Sequence, residues 1–193
     1  MTRHPLPRPL IAITLLVVGA DALANRWNEP VTAEEVEPAI LCTDERPTTA
    51  LLKTLGPRLD TMVAAGFGTR AALTDVKDGN RPVLDYVPNE PFVVLGQRVA
   101  GLTTNMGMLP TVTAIFDAPM ETLLERYRAA GHEFRCSVYD EAGADIRMCE
   151  AQRPAGWFSD NVLTLTVGSG RTLLPEGRSA VACTVFDKNW KFR

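Results

Sequence analysis

Four cysteines constrain the fold of this 193-residue chain more than any other feature of its sequence. They are Cys42, Cys136, Cys149 and Cys183. An even number of cysteines in a chain with an export signal is typical of paired disulfides. Each bridge holds two Cα atoms within about 7 Å of each other, and so decides which segments of the chain are neighbours.

A structural zinc site, the alternative use of four cysteines, does not fit this sequence. No Cys-x-x-Cys pair occurs, and His132 is the only histidine beyond the N-terminal segment. Structural zinc sites usually draw on closely spaced pairs of ligands. We therefore expect two disulfides, and we expect neither a metal nor a cofactor.

The export signal lies in the first 24 residues. Arg3 and Arg8 precede a mostly apolar run at 10–20, and the small residues at 22–24 (Ala-Leu-Ala) resemble a signal-peptidase site. The run is shorter than the roughly 20 apolar residues of a membrane-spanning helix. We expect residues 1–24 to be cleaved and the protein to be periplasmic or extracellular; an uncleaved membrane anchor is the alternative.

The charge of the chain argues against two classes of partner. It carries 20 Lys and Arg against 23 Asp and Glu, without a basic cluster. Binding to nucleic acid depends on clustered cations that displace counterions from phosphates. A polybasic amphipathic helix, which would favour a membrane surface, is missing as well. We expect no nucleic acid as a partner, and no membrane after signal cleavage.

The patterns beyond residue 46 predict an α+β fold, with antiparallel sheet covered by helices. Pro47–Lys53 and Pro119–Glu125 resemble each other and open helical patterns. The two helices are expected to end at Ala-Ala-Gly, at 64–66 and 129–131. Residues 113–117 (Thr-Ala-Ile-Phe-Asp) also match 183–187 (Cys-Thr-Val-Phe-Asp).

One interpretation of these matches is a pair of tandem helix-plus-four-strand units. The units would occupy 47–118 and 119–193, packed as one domain behind an extended lead-in at 25–46. The other interpretation is chance resemblance between short segments. Alternating β-branched residues predict strands near 69–75, 82–87, 92–103 and 111–116, and near 134–140, 144–150, 161–167 and 179–186.

Details of these elements are also predicted. The strand at 92–103 is expected to bend at Gly96 or Gly101. The first helix is expected to be longer than the second, or broken at Gly56-Pro57, because proline interrupts a helix. Asp117 stands where the second helix would have its N-cap, and Leu123, Leu124 and Tyr127 form the apolar stripe of that helix.

The hairpin around Ala142-Gly143 decides how the cysteines pair. With a two-residue loop at this dipeptide, Cys136 lies opposite Cys149, and Cys42 is left to pair with Cys183. We favour this arrangement because a short loop is easily closed.

A three-residue loop gives the alternative pairing. Gly143 would then form a left-handed bulge, and Cys149 would turn to the opposite face of the hairpin from Cys136. The bridges Cys136–Cys183 and Cys42–Cys149 would follow. The sequence leaves this alternative open.

Motifs for catalysis are not found. There is no Gly-x-Ser-x-Gly elbow, and His132, the one candidate base, is expected to be exposed at the end of a helix. We therefore assign no catalytic residue. The alternative to a binding protein is a small cell-envelope hydrolase with paired carboxylates, for example Asp85 and Glu90, although nothing in the sequence selects that pair.

Large apolar residues on irregular segments favour recognition. These are Trp157 and Phe158, which follow Pro-Ala-Gly, and Met106 and Met108 in a run of small residues. Aromatic and methionine side chains serve as anchors at binding surfaces, although large apolar residues more often close the ends of a core. We predict an exported, disulfide-stapled binding protein whose partner is a protein or a cell-envelope component, contacted by these loops or by an uncovered sheet face.

Overall fold

A computed structural model describes residues 30–64, 68–72, 84–88, 91–105, 109–139, 145–156, 159–170, 174 and 176–186. In these ranges there are three helices: α1 (Ala33–Leu41), α2 (Glu45–Ala64) and α3 (Met120–Ala129). The same ranges contain nine strands: β1 (Gly68–Ala72), β2 (Leu84–Pro88), β3 (Phe92–Val94), β4 (Gln97–Asn105), β5 (Thr111–Phe116), β6 (Arg135–Tyr139), β7 (Ile146–Pro154), β8 (Val162–Ser169) and β9 (Ser179–Phe186).

The strands form one antiparallel sheet in the order β1-β2-β4-β5-β9-β8-β7-β6, and β3 pairs with β4 beside β2. The predicted α+β class is confirmed. Strands from either side of residue 119 join the same sheet, because β5 pairs with β9.

All three helices lie against one face of the sheet, which we call the helix face. Cys42 at the end of α1 is bridged to Cys183 on β9, and the Thr48 hydroxyl of α2 lies 3.5 Å from the sulfur of Cys183. In α3, the sulfur of Met120 accepts a hydrogen bond from the Ser169 hydroxyl of β8 at 3.5 Å. The opposite side of the sheet is called the outer face.

The core lies between the helices and the helix face. Strand register aligns one row of side chains on the helix face, which is buried from Cys149 to Tyr86 and begins at the exposed Cys136: Cys136, Cys149, Val167, Val181, Ala114, Leu102 and Tyr86. The predicted stripe of α3, Leu123, Leu124 and Tyr127, is buried above the sheet. The Tyr127 hydroxyl donates to the Ile40 carbonyl of α1 at 3.0 Å, so the largest buried side chain has a partner for its polar end.

The lead-in at 25–46 was expected to be extended, and this was wrong for its described part, because α1 occupies Ala33–Leu41. Thr32 is its N-cap, and the Glu35 carboxylate accepts the Thr32 backbone N–H at 3.1 Å. This arrangement satisfies a donor that the start of a helix leaves free. Pro38 did not prevent the helix, which buries Val36 and Ile40.

Helix α2 is not broken at Gly56-Pro57. It runs without interruption over Glu45–Ala64, and the burial of Leu51, Leu52 and Leu55 in the core stabilises it against the cost of an interior proline. It starts two residues before Pro47, where the Asp44 carboxylate accepts the Arg46 backbone N–H at 2.8 Å.

The strand expected at 92–103 is a hairpin rather than one bent strand. Leu95 and Gly96 have φ angles of 52° and 68°, the left-handed pair of a tight two-residue turn between β3 and β4. The second predicted bend, at Gly101, lies next to a shift in register between β4 and β5. Without a Cβ, Gly101 lets the strand bulge there.

The start of α3 also differs from the prediction. Its N-cap is Pro119, and Asp117 instead pairs with Arg178 on the loop before β9, at 2.7 Å, and with Arg98 of β4. The end of α3 is as expected, since Gly131 has a φ of 88°.

The disulfides join Cys42 to Cys183 and Cys136 to Cys149. Cys136 lies directly opposite Cys149 in the β6–β7 pairing, which is the register that a two-residue loop predicts. This is the favoured pairing, and in the described residues every cysteine is bridged.

Residues 113–117 and 183–187 resemble each other in sequence, but the matched residues do not occupy equivalent positions in the sheet. Thr113 lies on the outer face, whereas Cys183 lies on the helix face opposite Val112. Phe116 is fully buried, but Phe186 is only half-buried. Repeats related by rotation would place matched residues on the same face, so this match does not support tandem units.

Candidate interaction surface

Threonine side chains form two rows across the outer face. Every second residue of a strand shares a face, and the strand register aligns these residues between neighbours. One row is Asn105, Thr111, Thr184, Thr164 and Gln152. The next is Thr103, Thr113, Ala182, Thr166 and Glu150. Neighbouring side chains are thus about 4.8 Å apart across strands and about 6.8 Å apart along them.

A third row beside these is small and apolar. It contains Gly101, Ile115, Ala180, Gly168 and Met148. At the margin formed by β6 and β7, which we call the charged margin, Glu150 lies opposite Arg135, and towards the other side of the sheet Asp85 of β2 lies opposite Thr103. The middle of the outer face is therefore neutral, with hydroxyls beside apolar groups.

The threonine hydroxyls of the two rows differ in the hydrogen bonds that they make. Thr111 and Thr184 hydrogen-bond to each other at 2.9 Å, and Thr111 also donates to the Leu109 carbonyl at 2.8 Å. The Thr103 side chain is 8% exposed, and its hydroxyl has no hydrogen-bond partner among the described residues. Thr113 and the other threonines of the two rows are half-buried, so they present hydroxyls and methyl groups to the surface.

A polar cavity lies at the charged margin. It has a volume of about 470 Å³ and is lined by Glu133, Phe134, Arg135, Glu150 and Gln152. Two carboxylates and a guanidinium in one cavity suit polar or charged ligands. Glu133 and Glu150 are the carboxylates that line it.

A second cavity, of about 280 Å³, lies between α1 and α2. Its walls include Pro38, Ala50 and Leu51, and at one end the buried Arg58 donates to the Glu35 carboxylate at 2.8 Å and to the Pro30 carbonyl at 2.7 Å. Burial of Glu35 opposes its ionisation, but the hydrogen bonds from Arg58 and Thr32 outweigh it and lower the pKa. This ion pair joins the start of α1 to α2.

His132 was expected to be exposed, and this was wrong. It is 6% exposed and lies edge-on to the Tyr127 ring, with 5.7 Å between centroids. Burial lowers the pKa of His132, the charge of Arg153 adds to this, and a hydrogen bond to the Leu41 backbone acts the other way. The buried ring packs against Tyr127 and Phe134, so we interpret His132 as a core residue.

Trp157, Phe158, Met106 and Met108 lie outside the described residues, as does Glu90 of the carboxylate example. Asp85 belongs to β2 and lies opposite Thr103 in the pairing with β4. The described neighbours of the loops are Asn105, which ends one threonine row, and Gly156, which follows β7.

Sequence reasoning missed the threonine rows, although their signal was present. Thr164 and Thr166 alternate with apolar residues in β8, and Thr111 and Thr113 do so in β5. Such alternation was used only to predict strands. That the threonines align depends on the pairing of β5 with β9, strands that are far apart in the sequence.

No family model matches the chain, and comparisons with curated proteins and with solved structures find no match either. Within the described ranges, no helix has both the length and the apolar character needed to span a membrane. The described residues also contain no group of three or more His, Cys, Asp or Glu side chains placed to hold a metal ion.

Proposed function

We propose that this chain is an exported, disulfide-stapled binding protein that docks a protein or another cell-envelope component on its outer sheet face. The observation that carries the proposal is the neutral centre of that face, where two rows of threonine lie beside a row of small and apolar residues. The three described helices lie on the other side of the sheet.

The chemistry of these rows suits recognition. A threonine side chain is stiff at χ1, so it loses little conformational entropy when a partner covers it. Its methyl group gains from burial, and its hydroxyl can donate and accept hydrogen bonds. A neutral surface of this kind avoids the cost of desolvating charges on binding.

Two disulfides are compatible with export, because such bridges persist in oxidising compartments. They also support a rigid platform. Cys42–Cys183 joins α1 to β9 beneath the threonine rows, and Cys136–Cys149 fixes the register of the last two strands. A face held in this way is organised before a partner arrives, which reduces the entropy lost on binding.

The test is affinity capture with a matched control. Thr113→Arg combined with Thr164→Arg adds two bulky cations to the middle of the outer face, and Thr43→Arg adds one to an exposed site in the loop between α1 and α2. Each protein is immobilised and exposed to solubilised envelope of its own organism, and bound components are quantified by mass spectrometry.

We expect at least one component to bind the wild type and Thr43→Arg equally, and to bind the double variant about tenfold less or weaker, since each buried unpaired charge costs a kcal/mol or more. Equal capture by all three proteins would show that the outer face is not the docking surface.

The alternative function is a small envelope hydrolase. Glu133 and Glu150 support it, because they line the same polar cavity. Paired carboxylates about 5–10 Å apart can act as acid and base on a glycosidic bond. If Glu133→Gln and Glu150→Gln each abolish turnover of envelope glycans while the outer-face variants bind normally, this alternative replaces the binding function.

We also propose that the two halves of the chain arose as tandem helix-plus-four-strand units. The support is the order of the sheet, in which β1-β2-β4-β5 runs towards the centre from one edge and β6-β7-β8-β9 does so from the other. The insertion of β3 beside β2 and the greater length of α2 would be later changes to the first unit.

A further inference from the structure

Strand β6 is an open edge of the sheet. It stands last in the strand order, and β7 is its one neighbour among the described strands. All five of its residues, Arg135–Tyr139, are exposed, and the exposed fractions of Val138 and Tyr139 are 64% and 52%. Edge strands with exposed apolar side chains are templates for pairing with another strand.

The register of β6 shows which of its backbone groups face outward. Cys136 and Cys149 lie opposite each other with 4.0 Å between their Cα atoms, the short spacing of a pair that does not exchange hydrogen bonds. The N–H and C=O groups of Cys136 therefore point away from β7, and those of Val138, two residues on, do the same. Arg135, Ser137 and Tyr139 direct theirs towards β7.

We propose that β6 pairs with β6 of a second copy of this chain, antiparallel, about a two-fold axis that passes between the two Ser137 residues. In this register, Cys136 of each copy lies opposite Val138 of the other. Each such pair exchanges two backbone hydrogen bonds, so all the outward N–H and C=O groups of the strand are satisfied. The two sheets become one, and both outer faces lie on the same side.

The side chains of β6 are self-complementary in this register, which favours a second copy over an unrelated strand. Arg135 of each copy lies beside Tyr139 of the other on the outer face, as a cation–π pair. Val138 lies beside the disulfide of Cys136 on the helix face, and like charges do not oppose each other. A two-fold interface requires this property, because each residue meets its partner twice.

The Cys136–Cys149 bridge makes the edge suitable for pairing. An edge strand held only by hydrogen bonds can slip in register, and a slip of one residue exchanges its two faces. The Cys136–Cys149 bridge prevents such a slip. The backbone N–H and C=O groups of Cys136 and Val138 therefore stay on the side of β6 that faces away from β7. With one short strand from each copy, the interface is small, and we expect a dimer in the micromolar range.

Substitutions at the two-fold axis test the proposal. Ser137→Lys places two cations opposite each other in the dimer, and Ser137→Glu places two anions there. Each variant is expected to lose the dimer, and an equimolar mixture of the two is expected to regain it as a heterodimer. The measurement is sedimentation velocity over loading concentrations from about 1 to 300 µM, a range that brackets the expected dissociation constant.

A second pair of variants tests the backbone hydrogen bonds. Val138→Pro removes an outward N–H that β7 does not use, and edge strands tolerate proline at such a position. Val138→Thr, the matched control, keeps the N–H and the β-branched shape. We expect the proline variant to be monomeric and the threonine variant to dimerise, with both disulfides confirmed by mass in each.

The proposal is overturned if the wild-type protein with both disulfides formed is monomeric over the whole range. It is also overturned if the wild type dimerises but Ser137→Lys and Val138→Pro dimerise equally well, because the contact must then lie elsewhere. Failure of outer-face capture leaves this test unaffected, since Thr113 and Thr164 lie on other strands.

Discussion

His132 fixes the end of α3 by packing rather than by charge. Its backbone N–H donates to the Tyr127 carbonyl at 3.0 Å, and its ring packs between Tyr127 and Phe134. The Nε2 atom is buried without a hydrogen-bond partner among the described residues. The imidazole is therefore held neutral, since a charged ring would lack water at that nitrogen.

The buried imidazole predicts a loss of stability on mild acidification. Because folding lowers the pKa of His132 from its ordinary value of 6.5, the unfolded chain takes up the proton more readily than the folded chain. Neutral His132 therefore stabilises the fold fully above pH 6.5. This stabilisation is lost as the pH falls from 6.5 through the lower pKa of His132 in the folded state. Urea midpoints measured at pH 8 and at pH 5.5 should decrease on acidification.

His132→Asn is the control for this effect, because asparagine keeps a donor for the Leu41 backbone but does not titrate. Its midpoints should change less between the two pH values than those of the wild type. Glu35, whose pKa is lowered, loses its contribution to stability only when the pH falls below the ordinary glutamate pKa of 4.5. An equal pH dependence in both proteins would show that His132 is not the group responsible.

The partner of a residue was predicted well where its chemistry specifies that partner, as for the cysteines. The exposure of a residue was predicted poorly where it depends on distant segments, as for His132. The cysteine pairing followed from the hairpin around residues 142–143, since opposite positions must be close enough to bridge. The burial of His132 could not be foreseen, because the end of α1 lies beside it, with the Leu41 backbone in contact with His132 and the Ile40 carbonyl in contact with Tyr127. Thr32 and Glu35 match the capping-box pattern that marks the start of α1, and the prediction did not use it.

The tight turn between β3 and β4 depends on Gly96. Gly96 has a φ of 68°, and a Cβ at this position would lie 3.1 Å from the Arg126 guanidinium. An alanine would have to adopt the left-handed conformation, which costs L-residues about 1–2 kcal/mol.

Gly96→Ala is therefore expected to lower the free energy of unfolding by about 1–2 kcal/mol, measured by equilibrium denaturation in guanidinium chloride. Gly156→Ala is the matched control, because a Cβ there meets no atom within 4 Å and its φ is not in the left-handed range. It should leave stability nearly unchanged. If both variants cost the same, the left-handed turn is not the source of the effect.

Elements with a regular apolar pattern were predicted close to their observed positions, and the exceptions have physical reasons. The strands at 111–116 and 179–186 coincide with β5 and β9. Helix α1 was missed because Pro38 and two adjacent glutamates suggest an extended segment, whereas the bridge at Cys42 and the packing of Ile40 stabilise the helix. Tertiary contacts outweigh local propensity in such short helices.

At the scale of the whole molecule, the two bridges differ in the length of chain that they close. Cys42 and Cys183 are separated by 141 positions, and Cys136 and Cys149 by 13. In the chain-entropy model, a bridge stabilises the fold by restricting the unfolded chain, more strongly for a longer loop. The long bridge should contribute about 5 kcal/mol and the short bridge about 3 kcal/mol.

Replacing each pair of cysteines by alanines separates the two contributions. Cys42→Ala with Cys183→Ala should lower the free energy of unfolding more than Cys136→Ala with Cys149→Ala, in the same denaturation experiment. The burial of Cys42 and Cys183 increases this difference, since their removal also opens space in the core. A larger loss from the short bridge would mean that native contacts, not chain entropy, determine the result.

The overall architecture was only partly predictable. The α+β class follows from alternating strand patterns between two helical ones, but the joining of both halves through β5 and β9 is a long-range pairing that no local pattern encodes. For the same reason, the threonine rows of the outer face and the open edge at β6 emerged only from the assembled sheet.

The most direct test of an exported, bridged scaffold is peptide mapping without reduction, on protein isolated from its own cells. We expect a mature N-terminus at Asn25 and linked peptides that join Cys42 to Cys183 and Cys136 to Cys149. Protein that retains Met1 and carries four free thiols would contradict both the export and the stapled fold.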